Sequence, residues 1–100
     1  MDSNNLEQDQ PVQIIAAGSD LERLVDSIHP GFLRKVQFRA PDLTPMELQI
    51  CMLTRLQMRT KETAMALHLA KSSVERHRWH VRTKLGFERS ENLLSALLRI

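Results

Sequence analysis

The densest set of side chains able to do chemistry lies between Lys71 and Leu85: Ser72, Glu75, Arg76, Trp79, His80 and Thr83. Arg, Glu, Ser, Thr and His are types that hydrogen-bond base edges, because each offers a defined set of donors or acceptors. At about 100° per residue, with Val74 at 0°, Val81 falls at about 340° and Leu85 at about 20°. Ser72, Arg76, Trp79 and Thr83 fall on the opposite side, at about 140–200°, with Glu75 and His80 flanking them. The spacing therefore predicts a helix with an apolar back and a polar front. Solvation alone does not account for a large aromatic on that front. Trp79 is expected either to cover a neighbouring helix or to enter a groove.

Other constellations are thinner. His77 and His80 stand three residues apart and Cys51 is available. His77, however, lies towards the apolar side, and no further ligand pair has zinc-site spacing. No metal is expected, and His77 reads as a structural hydrogen-bonding residue. Cys51, amid Ile50, Met52 and Leu53, reads as core, and Met46, Met52, Met58 and Met65 as core gap-fillers. No nucleophile has an oriented partner that the sequence names. Neither catalysis, a cofactor nor a small-molecule ligand is expected.

The elements that position these residues come from a chain of 100 residues, 42% hydrophobic and 26% charged, which suits one small soluble domain. One cysteine excludes an internal disulfide framework and suits a reducing, cytoplasmic setting. No apolar run approaches a membrane span, and the polar start Met1-Asp2-Ser3-Asn4-Asn5 does not resemble a secretory signal. The formal charge of +2 is unevenly placed. Residues 1–42 hold four Lys/Arg against seven Asp/Glu, a net −3, and residues 43–100 hold ten against five, a net +5. Between Arg55 and Arg89 nine basic residues face three acidic ones, which points to a polyanionic partner.

Periodicity and punctuation predict an all-α fold. Residues 1–13 read as a disordered lead-in, and Val12–Ala17 is an apolar run ended by Gly18. Ser19 and Glu22 form a capping box for a helix with Leu21, Leu24, Val25 and Ile28 on one face. His29-Pro30-Gly31 interrupts it, and Phe32, Leu33 and Val36 suggest a second short helix closed near Ala40-Pro41. Thr44-Pro45-Met46-Glu47 is a second capping box, opening a helix over roughly 45–57 with Leu48, Cys51, Met52 and Leu56 buried. Thr60 is a cap for a helix over about 61–68 that buries Ala64, Met65 and Leu67. Leu69 and Ala70, with or without Lys71, separate it from the 71–85 helix, which Gly86 ends. Ser90 caps a last helix from Glu91 to the chain end. There Leu93, Ala96, Leu97 and Ile100 cover one face, and Leu94 and Leu98 sit about 100–140° round. The organisation expected is a lead-in over 1–18, a helical extension over 19–42 and a domain over 43–100. Two helices joined by a short turn, the second basic, describe a helix-turn-helix.

At this point a family resemblance appears. Leu43-Thr44-Pro45-x-Glu47, Lys61-Glu62-x-Ala64, Val74-x-x-His77 and Lys84-Leu85-Gly86 resemble, in register and without gaps, the signature of the LuxR/GerE-type DNA-binding domain. Ser90–Arg99 fits that family's fourth helix. More weakly, His29-Pro30-Gly31-Phe32 through Thr44 is similar to the segment preceding this domain in some bacterial sensor-regulators. The resemblance implies a four-helix helix-turn-helix domain, preceded here by one or two short helices, with 61–68 as scaffold helix and 71–85 as recognition helix. It implies base reading by Glu75, Arg76 and Trp79, to which the wheel adds Ser72. Thr60 and Lys61 then touch phosphate, with Ser73, Arg82 and Lys84 as further backbone contacts and Arg78 flanking. Ala70 stands where the family has a Ser or Thr cap, His68 where it has a turn glycine, and Thr63 where isoleucine is common. Glu75 is acidic at a commonly basic position, so the family's usual target sequence is not carried over.

The function expected is sequence-specific binding of double-stranded DNA by a bacterial transcriptional regulator, dimeric through Leu94 and Leu98. The alternatives are a protein-interaction adaptor on the same scaffold, using 20–38 and 91–99, or the DNA-binding piece of a larger sensor-regulator. Residues 1–42 are too short for a receiver or ligand-binding domain, so the chain is expected to be a stand-alone effector or such a piece.

Overall fold

Thr44 and Glu47 close on each other at the start of one helix. The Thr44 hydroxyl accepts from the Glu47 N–H at 3.1 Å, and the Glu47 carboxylate accepts from the Thr44 N–H at 2.9 Å. With Pro45 at the first helical position, the expected capping box is formed. The computed structural model describes residues 19–100. Within them lies a compact all-α domain of six helices with no strand: α1 Ser19–Ile28, α2 Phe32–Arg39, α3 Pro45–Arg55, α4 Thr60–Leu67, α5 Lys71–Leu85 and α6 Leu93–Leu97. The lead-in expected over 1–13, the Val12–Ala17 run and Gly18 lie outside the described residues, as does the side chain of Ser19, the cap expected for α1.

The core is built round α3, which packs against α1, α4, α5 and α6. Ile50, Cys51, Met52 and Leu53 follow one another in sequence and are all buried, as are Glu47 and Thr54. A single stripe of Leu48, Cys51, Met52 and Leu56 is therefore too narrow: Leu48 and Leu56 are only partly covered, and α3 is enclosed on most sides. Shortening Ile50 or Leu53 to alanine removes about 2–5 kcal/mol by lost transfer energy and cavity formation. Burial pushes the Cys51 thiol up to about 12, with the Glu47 charge adding to the effect, so Cys51 is core and poorly nucleophilic.

The outer helices bury less than their patterns suggest. On α1, Leu21 and Val25 are buried, but Leu24 and Ile28 of the same expected stripe are about half exposed. Gly31 turns the chain in the left-handed region, at φ 82°, before α2 buries Phe32 and Val36. α1 and α2 join the core cluster that holds α3, α5 and α6. On α4, Ala64 is buried and Leu67 half-buried, but Met65, expected inside, is 68% exposed. Thr63 is fully buried instead, and its hydroxyl has no hydrogen-bond partner.

Three helices end in the same way. The Met58 N–H reaches the Leu53 carbonyl at 3.0 Å, Leu69 reaches Ala64 at 2.9 Å, and Phe87 reaches Arg82 at 2.9 Å. Each is the long-range bond of a Schellman motif, which puts the preceding residue in the left-handed region. That residue is Gln57 at φ 69°, His68 at φ 57° and Gly86 at φ 81°. Only the last is free of the steric cost of a Cβ. Beyond Gly86 the chain is held by Phe87, whose ring lies beneath the guanidiniums of Arg39 and Arg99 at 4.6 and 5.4 Å. Arg99 also pairs with Glu91. The last helix is shorter than expected. Asn92 rather than Ser90 caps it, its side chain accepting from the Ser95 N–H at 3.1 Å, and it ends at Leu97.

These endings are open to direct measurement. Gln57→Gly and His68→Gly are each expected to raise unfolding stability by about 0.5–1 kcal/mol in urea titrations, because the strained φ is relieved. Met65→Ala, on an exposed position, is expected to change it by less than about 0.5 kcal/mol. A loss of stability in both glycine variants is the result that contradicts this account.

Candidate nucleic-acid interface

α5 is held from behind. Val74 and Val81 are fully buried and Leu85 nearly so, against α3 and α4. Ser72, Glu75, Arg76, Trp79 and Thr83 are exposed, on the side the 100° spacing predicts. The turn from α4 is His68-Leu69-Ala70, and α4 packs against α5 across it. Ala70 occupies the N-cap position without a side-chain bond, and Ser72 supplies no substitute cap. The first N–H groups of a 15-residue helix are thus without a side-chain acceptor, at the end where its dipole favours negative charge.

The exposed charges divide into free and engaged groups. Arg76, Lys61 and Lys71 make no ion pair or hydrogen bond among the described residues. Trp79 is 37% exposed; its ring meets His80 edge-on at 5.1 Å, and the Arg89 guanidinium lies 5.6 Å from its centroid. Thr83 donates to the Trp79 carbonyl at 3.0 Å, so its hydroxyl is engaged within α5. Ser73 is half-buried beside the exposed Ser72.

Two residues expected to touch phosphate, Lys84 and Thr60, make contacts inside the protein, and a third, Arg82, is partly covered. Lys84 donates to the Glu47 carboxylate at 2.8 Å and to the Asp42 carbonyl at 3.2 Å. Thr60 is the first residue of α4 rather than its cap; Arg59 holds the cap position, its N–H donating to Glu62 at 2.8 Å. The Thr60 hydroxyl accepts from Arg78 at 2.7 Å. Arg82 is half-buried and its Nε is covered. Arg78 is the residue that the helical pattern underrates. It bridges α5 to the α3–α4 connection through Thr60 and the Met58 carbonyl at 3.3 Å. Its wheel angle beside Val74 and Leu85 is the one hint of this; a partner 18 residues away leaves no periodic trace. Burial, followed by the neighbouring Arg82 charge, lowers the pKa of Arg78.

His77 is half-buried, but its Nδ1 is covered and unpartnered, so that nitrogen does not make the structural hydrogen bond expected of it. No group of three possible metal ligands occurs among the described residues. Leu94 is half-buried, whereas Leu98 is 54% exposed beside Ile28 and Ile100. No helix among the described residues is long and apolar enough to cross a membrane. No protein-family model matches the chain, and comparison with curated proteins and with solved structures returns no match.

The Glu47–Lys84 pair ties α5 to α3 and has a pH signature. Burial pushes the Glu47 carboxyl up, but the Lys84 hydrogen bond and the Thr44 N–H outweigh it, leaving the pKa below 4.5. A lowered folded value stabilises the fold above pH 4.5, an effect lost as pH falls through that value. Glu47→Gln keeps a capping acceptor but does not titrate. It is expected to be less stable than the parent near neutrality, with the difference shrinking steadily towards pH 3 in urea unfolding. A difference independent of pH contradicts the assignment.

Proposed function

We propose that this chain is a sequence-specific double-stranded DNA-binding transcriptional regulator with a LuxR/GerE-type helix-turn-helix, α4 serving as scaffold and α5 as recognition helix. The observation that carries the reading is the front of α5: Arg76 free and exposed, Glu75, Ser72 and Trp79 beside it, and Val74, Val81 and Leu85 anchoring the back. A helix about 10–12 Å across enters a major groove about 12 Å wide. Arg76 takes guanine O6 and N7 through its fork, Glu75 accepts from a cytosine amino group, and Ser72 and Trp79 contact neighbouring edges. Lys61, Ser73 and the uncapped start of α5 hold the phosphates, which set register rather than sequence. The exposed Leu98, together with Ile28, favours a two-fold dimer through α6 that sets two recognition helices on a pseudo-palindrome.

Selection of bound fragments from random duplexes, followed by titration at physiological salt, tests this. Arg76→Ala is expected to lose about 1–3 kcal/mol on the selected site and much less on random duplex. Lys61→Ala is expected to weaken both alike and to lower the salt slope by about 1. Equal losses on both duplexes for Arg76→Ala remove it from the reading face. Failure to select any saturable duplex overturns the proposal and favours the adaptor reading.

A further inference from the structure

On the flank of α5, away from the front described above, lies a cavity of about 330 Å³ enclosed by the end of α3, the start of α4, the middle of α5 and the segment leading into α6. Arg59, Arg78 and Arg82 line it, and no carboxylate does. Such a concentration of one charge in a concave, partly covered space raises the local potential well above that of a flat surface. The nearest acids are otherwise placed: Glu62 accepts from the Arg59 backbone N–H, and Glu75 is on the exposed side of α5.

Several polar atoms of the residues that line this space are unsatisfied. Thr54 is only 4% exposed, and its hydroxyl oxygen is buried without a hydrogen-bond partner. The Nε groups of Arg78 and Arg82 are likewise covered and unpartnered. Arg78 is oriented by Thr60 and the Met58 carbonyl, which are neutral acceptors; the Glu75 charge offsets part of its own, but no carboxylate among the described residues forms an ion pair with it. Arg82, one turn further along α5, adds a like charge beside it. Buried cations and donors in this state call for an anionic acceptor with several oxygens.

We infer that this cavity is a binding site for a small phosphorylated molecule, its phosphate held by Arg59, Arg78 and Arg82 with the Thr54 hydroxyl as a further donor. A phosphate suits the site better than a carboxylate, because its three free oxygens can serve guanidiniums arriving from α4 and α5 at once. The volume lies at the lower end of small-molecule pockets and exceeds what a phosphate group fills. Met58, Leu93 and Leu94 line the remainder and would meet a small organic group. The site does not depend on α5 reading DNA.

Nitrogen-resolved NMR titration of the full chain with inorganic phosphate and with glycerol 3-phosphate, each against sodium chloride of equal ionic strength, tests this. Saturable shifts of the Arg78 and Arg82 Nε–H signals and of the Thr54 amide are expected, tighter for glycerol 3-phosphate. Arg82→Gln is expected to weaken binding at least about tenfold. Thr54→Val, close in shape, is expected to weaken it several-fold while leaving the urea midpoint unchanged or raised, which keeps the test open should Arg82→Gln unfold. The inference is overturned by shifts that chloride reproduces, by no saturation, or by Thr54→Val binding phosphate as the parent does. It is also overturned if Arg82→Gln weakens duplex binding while leaving the phosphate titration unchanged, since the arginine is then a DNA backbone contact.

Discussion

The burial of Val74, Val81 and Leu85 sets the direction in which α5 presents everything else. Each such side chain contributes about 1.5–3 kcal/mol when removed from water. Turning α5 half a revolution would expose all three and carry the Arg76 and Glu75 charges into an apolar core. The cost exceeds the whole of an ordinary domain's stability, about 5–15 kcal/mol. Side-chain chemistry on the front is therefore free to vary without moving the helix. The reverse does not hold: a polar change at Val74 disturbs α3, α4 and α5 together, because Val74 belongs to the one core cluster they share.

Short connections transmit that orientation. α4 leads to α5 through three residues, and the α3 and α4 endings each force a non-glycine residue into the left-handed region. Gln57 and His68 thus carry local strain that the packing of α3, α4 and α5 overrides. Arg78 works in the same direction, binding the middle of α5 to the start of α4 and the α3–α4 connection. Lys84 does so at the other end of α5, through Glu47. Each of these contacts runs from the flank or the back of α5, so the front remains outside the protein's internal hydrogen bonding except for Thr83.

Much of this was legible in the sequence because it is local. Capping at Thr44 and Glu47, the stop at Gly86 and the 3.6-residue period of α5 depend on neighbours within a turn or two, and each is where its pattern predicts. What was illegible is non-local. Met65 has the period of a buried residue, but on α4 it lies on a face left open among the described residues, so it is exposed. Leu24 and Ile28 fail in the same way on α1. Ser90 and Asn92 are both good caps; the choice between them depends on where Leu93 and Leu97 must enter the core, and that positional constraint shortens α6. In the front of α5 the wheel identifies exposure, whereas the engagement of Thr60 and Lys84 with the protein itself requires partners far along the chain.

Charge counting fails for the same reason, and the failure bears on how a polyanion would be held. Of the nine basic residues between Arg55 and Arg89, Lys84 is paired with Glu47 and Arg78 is bonded to Thr60. Arg55 meets His29 and the Phe32 ring, and Arg89 lies over Trp79. Arg59 and Arg82 line the flanking cavity. Those two and Arg76, Lys61 and Lys71 are the cations left without a side-chain hydrogen bond, ion pair or ring contact among the described residues, a smaller set than the sequence total implies. Under the proposed function, a duplex docked on α5 would be held by only part of these charges, and the neutral donors close to them, the Ser72 and Ser73 hydroxyls and the uncapped N–H groups of the first turn, would supply further phosphate contacts. Neutral donors position a phosphate without releasing counterions in proportion, so the proposed binding through this face would depend on salt less steeply than nine cations would dictate.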